Sequence, residues 1–63
     1  MSAPSEDDAY AALQAAGFGL HTTWGLITGS NGGHRYAWRG TYRTRRYRTW
    51  IAVWAQVVKD GQV

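Results

Sequence analysis

An α+β fold, with one short N-terminal helix packed on a three-stranded antiparallel β-meander, is what this 63-residue sequence predicts. Three observations predict it. Ser5 and the acids after it, followed by apolar residues at helical spacing, mark a helix near the start. β-branched and aromatic residues then dominate, as suits strands. Within that stretch "SNGG" supplies an Asn31-Gly32 pair, a strong hairpin signal because both central residues of a type I′ turn need positive φ.

Taken in order, residues 1–4 are expected to form a flexible leader and residues 5–63 a single small domain. Ser5 reads as an N-cap, with Glu6, Asp7 and Asp8 where the helix dipole favours negative charge. Ala9, Ala12, Leu13 and Ala16 recur at i, i+3, i+4 and i+7 and give one apolar stripe, so a helix is expected over residues 6–16. Gly17 suits the left-handed position that ends a helix, and Phe18 would then contact Leu13. "LHTTWGLIT" and "HRYAWRGTYR" read as the first two strands.

The third element is read in two ways. Its Trp, Ile and Val content favours a strand over residues 47–54, with residues 55–58 open. Yet Trp50, Val53, Trp54, Val57 and Val58 also fit helical spacing, and Lys59-Asp60-Gly61 would end a helix well, so a helical C-terminal segment is the alternative. With the strand, a two-residue loop at Asn31-Gly32 pairs Trp38 with Gly25 and Tyr36 with Ile27. A second turn at "RTRR" pairs Tyr42 with Tyr47 and Arg39 with Trp50. This register sorts the sheet into two faces. Ile27, Tyr36, Trp38, Tyr42, Tyr47, Ile51 and Val53 would form the core under the helix. Arg35, Arg39, Arg43, Arg46 and Arg48 would share the other side with Trp24, Trp50 and Trp54.

Size and composition set bounds. A chain this short buries only roughly 60% of the surface its unfolded form exposes. Without cysteine, neither a disulfide nor a Cys-based metal site can form, so stability rests on four Trp, four Tyr and one Phe. No run approaches the roughly 18 apolar residues that span a bilayer, and "MSAPSEDDAY" is unlike a secretory or transit peptide. A cytoplasmic protein with no membrane association is therefore expected. The net charge of +3 hides a division, because residues 9–59 carry all seven cations and no acid. Such asymmetry points to a polyanionic or acidic partner.

The stretch "RYAWRGTYRTRRYRTW" concentrates this signal. Arginines neutralise phosphates and exposed indoles stack on unpaired bases. Arg35, Arg39, Arg43, Arg46 and Arg48 are thus the candidate phosphate contacts, and Trp24, Trp50 and Trp54 the candidate stacking groups. The plainer reading is a cation–π ladder in which Arg39 packs on Trp24 and Trp50. A third makes the face a protein interface or a homo-oligomer contact, since Trp, Tyr and Arg are enriched in binding hot spots.

Other motifs say less. "GSNGGH" lacks the Gly-Lys-Ser/Thr of a phosphate loop and reads as a turn. His21 and His34 have too few companion ligands for a metal site, and no metal or cofactor is expected. "LQAAGF", a strand, "GS", a histidine and a basic strand, over residues 11–42, are similar in order to HicA-type toxins. Those are small RNA-cleaving proteins with a double-stranded-RNA-binding-like fold, and the resemblance implies His34 as the catalytic residue. Here three residues separate Ser30 from His34, the preceding strand is longer than in that family, and the family's C-terminal helix falls on the doubly read segment. The expectation is a non-enzymatic protein binding nucleic acid, DNA or RNA, through the Arg/Trp face. The alternatives are a protein-binding or inhibitory module of phage or regulatory type that takes an acidic partner, and a minimal ribonuclease using His34.

Overall fold

The computed structural model of the chain describes residues 5–22 and 34–63. The elements are α1 (Glu6–Ala15), β1 (Gly19–Thr22), β2 (Arg35–Arg39), β3 (Tyr42–Arg43) and α2 (Trp50–Lys59). The strands form one antiparallel sheet in the order β1-β2-β3, so the architecture is α+β with a helix before the meander and another after it.

Helix α1 begins with a full capping box. The Asp8 amide donates to Ser5 Oγ at 3.2 Å, and the Ser5 amide donates back to Asp8 Oδ2 at 3.4 Å. It ends in a Schellman motif, with Gly17 at φ +87°, its amide on Gln14 O and the Phe18 amide on Leu13 O. Leu13 and Phe18 both lie in the core.

The first hairpin departs from expectation. Trp38 pairs with Gly19, Ala37 with Leu20, Tyr36 with His21 and Arg35 with Thr22. The expected partners lay six residues further along, and they fall with the Asn31-Gly32 turn, Trp24 and Ile27 outside the described residues. An even displacement preserves which residues share a face. The reason for placing a glycine opposite Trp38 also survives, because an added Cβ on Gly19 would stand 2.4 Å from the Trp38 ring.

The second hairpin turns at Gly40-Thr41, not at "RTRR": Arg39 pairs with Tyr42 and Trp38 with Arg43. Gly40 takes φ +62° at the first central position, where a type II′ turn requires glycine. Beyond Arg43 the chain stays beside β2 but gains a residue. Arg35 exchanges both backbone hydrogen bonds with Tyr47, at 2.6 and 2.8 Å. Three residues, 44–46, therefore oppose two, Tyr36 and Ala37, which is a β-bulge. Buried Thr44 bridges it: its amide donates to Ala37 O at 2.9 Å, and its Oγ1 accepts from the Ala37 amide at 3.0 Å.

The strand expected over residues 47–54 is absent, and the helical alternative is the one that forms, as α2. Thr49 caps it by accepting from the Ala52 amide at 3.2 Å. The Glu6 carboxylate, from the first turn of α1, accepts from the Trp50 and Ile51 amides at 2.9 and 2.8 Å. At the other end Gly61 takes φ +70°, its amide on Val58 O and the Gln62 amide on Val57 O. Trp50, Val53 and Val57 give the helix a buried stripe, with Trp54 packed beside it.

Replacing the third strand by a helix inverts the two faces. Both helices pack on one side of the sheet, around Ala9, Leu13, Phe18, Ala37, Trp50, Val53 and Val57. That side carries Leu20, Ala37 and Tyr42, and the small Ala37 side chain lets α2 approach the sheet. Arg35 and Arg39 lie two positions either side of Ala37 and so share its covered side. Tyr36 and Trp38, expected in the core, face the other way, and Trp38 is 40% exposed.

Candidate functional site

Among the described residues no helix packs on the second face of the sheet, which carries His21 on β1, Tyr36 and Trp38 on β2, Arg43 on β3 and Arg46 in the bulge. Pairing fixes the first four, because His21 opposes Tyr36 and Arg43 opposes Trp38. The bulge fixes the fifth. In an unbroken strand, residues three apart point to opposite faces. The extra residue restores Arg46 to the side of Arg43, and its guanidinium carbon lies 5.9 Å from the Tyr36 ring centroid.

The rings form a row. His21 and Tyr36 are 5.1 Å apart between centroids, and Tyr36 and Trp38 are 5.8 Å apart with a 45° tilt. Two shallow hollows adjoin the row. One, of about 390 Å³, is lined by Trp38, Gly40, Thr41 and Tyr42 and so reaches round the turn, and the other, of about 340 Å³, by Thr44, Arg45 and Arg46. Tyr36 and Arg43 line both and form the ridge between them.

None of the chain's four acids reaches this face. Glu6, Asp7 and Asp8 lie in the first turn of α1, with Glu6 committed to the start of α2. Asp60 at the end of α2 accepts from Tyr42 Oη at 2.6 Å and Gln56 Nε2 at 3.0 Å. Burial first, and the adjacent Asp60 second, push the Tyr42 phenol up to about 12. The same hydroxyl, followed by Gln56, holds Asp60 below the usual carboxylate range. A wider cleft of about 540 Å³ lies beside these residues, between the bulge segment and α2. Within it Gln56 Oε1 accepts from the Arg45 amide and Tyr47 Oη, both at 2.9 Å.

The residues singled out in the sequence are dispersed. Arg43 and Arg46 stand on the open face. Arg39 is half-buried and spans the two helix ends: Nη1 donates to Ala16 O at 2.8 Å, Nη2 donates to Gln62 O at 2.7 Å, and the guanidinium carbon lies 4.4 Å from the Phe18 ring centroid. The ladder expected for Arg39 on Trp50 is therefore replaced by a contact with Phe18. Arg35 is half-buried and donates through Nη1 to the Arg48 carbonyl. Arg48 is exposed just before α2. Trp50, at 8% exposure, is a core residue in edge contact with Tyr10 at 5.3 Å. Trp54 packs against the core, and Trp24 lies outside the described residues. His34 is exposed immediately before β2.

Sequence reasoning missed Tyr36 and Trp38 as residues of this face because it assigned them to the core, and it weighed His21 only as a metal ligand. The signals that would have found them are "RGTY" as a tight turn and Thr49 as a helix cap, which together move the covering layer to the Ala37 side. Among the described residues no cluster of His and acidic side chains could hold a metal ion, and no helix is long and apolar enough to cross a membrane. Comparison of the chain with protein-family models, curated proteins and solved structures finds no match.

Proposed function

We propose that the helix-free sheet face binds nucleic acid, with Arg43 and Arg46 on phosphates and Trp38 as a ring contact to bases. The observation that carries this reading is the bulge, which, among the described residues, adds a second arginine to a face holding three rings and no acid. A solvated strand needs no such device, and bulges serve to re-aim side chains. The binding surface is smaller than the sequence suggested, because Arg39 and Trp50 serve the fold.

A salt-titrated binding assay tests it. Arg43→Gln and Arg46→Gln are each expected to weaken binding and to lower the log–log salt slope by roughly 0.7–0.9. Unchanged mobility of both DNA and RNA at low salt would remove the reading. Affinity for an acidic protein, lost in the same variants, would move the face to the protein-binding class. The ribonuclease reading gains one point from α2, a C-terminal helix of the kind the resemblance to HicA-type toxins implies. Its test is separate: RNA incubated with the protein should be cleaved and His34→Ala should stop the cleavage, whereas binding without cleavage leaves the non-enzymatic reading in place.

A further inference from the structure

From the spacing of the rings and hollows, we infer that this face takes a single strand and seats two successive unpaired nucleotides. The inference rests on the nucleic-acid reading above and adds the class of ligand. Bases stacked in a duplex follow one another every 3.4 Å along each strand and present only their edges to a protein. The Tyr36 and Trp38 centroids are 5.8 Å apart and their planes differ by 45°. Bases resting on both rings must already be unstacked and splayed, which an unpaired strand permits and a duplex does not.

The relief of the surface agrees. Each hollow lies near the lower end of the size range of small-ligand sites. Because Tyr36 and Arg43 line both, one base falls on either side of that ridge, and the linking phosphate passes over the Arg43 guanidinium. Arg46 borders only the second hollow and meets the next phosphate. Trp38 is the better platform, since it is more exposed than Tyr36 and is seated against the bare backbone of Gly19.

The test compares a short single-stranded oligonucleotide, as DNA and as RNA, with the duplex of the same sequence, using the whole chain. The single strand is expected to bind at least about tenfold more tightly, and Trp38→Ala to reduce its affinity about 5- to 150-fold, as loss of one base-stacking ring does. Trp38→Phe should retain most of the affinity, and both variants are checked for an unchanged thermal unfolding profile against loss of fold. The DNA and RNA arms then show which sugar is accepted. If duplex binds as well as single strand, Trp38→Ala has no effect and Arg43→Gln still weakens binding, the single-strand inference is overturned while the nucleic-acid reading stands. If no nucleic acid binds, both fall.

Discussion

Gly19 and Trp38 show how one position can set a surface. Trp38 lies across Gly19 so closely that any Cβ there meets indole carbons at 2.4 Å. The β backbone of Gly19 would accept alanine; the space would not. Gly19→Ala is therefore expected to lift the indole off its seat, raising the quenching of tryptophan fluorescence that Trp38→Phe abolishes, and weakening oligonucleotide binding with little change in charge. Arg39 is the counter-case, an arginine whose sequence context suggests a ligand contact but whose bonds are internal. Its guanidinium serves two backbone carbonyls at the ends of α1 and α2, where the helix dipoles favour a cation. Arg39→Ala should cost about 2–3 kcal/mol in denaturant unfolding, because charge-assisted bonds of this kind are worth roughly 1.5–3 kcal/mol. Unaltered stability would show that the bridge contributes nothing.

Helix α1 was legible to within one residue because its signals are local: cap, stripe and terminal glycine all lie within residues 5–18. For α2 the local signals conflict. Trp50, Ile51 and Val53 favour strand, and part of what decides the matter is Glu6, 44 residues away, closing the first turn with two amide bonds. No local pattern reports a contact of that separation. Glu6→Ala should destabilise the protein by about 1–2 kcal/mol as a lost N-terminal cap, and Glu6→Gln by less, since an amide oxygen still accepts a bond. The bulge was illegible for a different reason, since Thr44 makes it by substituting a hydroxyl for a backbone partner. The turn at Gly40-Thr41 was available in the sequence but was masked by the polar run that follows it. At the same end of the sheet, Tyr42 and Asp60 tie β3 to the end of α2. The raised phenol contributes stability fully present below its ordinary titration near pH 10, and lost as pH rises through about 12. The lowered carboxyl contributes stability present above the ordinary Asp range, and lost as pH falls through its depressed value. Tyr42→Phe should flatten both limbs of the stability–pH curve, and an unchanged curve would detach the pair from folding.

Across the whole molecule, charge is divided by layer. The four acids occupy the helix ends, Arg39 closes the covered side, and Arg43 and Arg46 are left to the open face. The sequence showed that cations and acids were segregated, but not which arginines the fold would consume, because that depends on where the helix ends meet the sheet. This arrangement couples binding to stability. A ligand that engages only the folded face stabilises by RT ln(1 + [L]/Kd), about 2.7 kcal/mol at a hundredfold excess over Kd. Small domains have small unfolding entropies, so 1 kcal/mol moves the Tm of a 60- to 100-residue domain by roughly 4–8 °C. A saturating oligonucleotide is thus expected to raise the Tm by about 10–20 °C in low salt. The shift should shrink as salt is added, because the proposed phosphate contacts would be screened. It should also fall in the Arg43→Gln/Arg46→Gln double variant, whose unliganded Tm should match the parent because neither side chain supports the core. A thermal shift that this double change leaves undiminished would place the ligand elsewhere on the molecule.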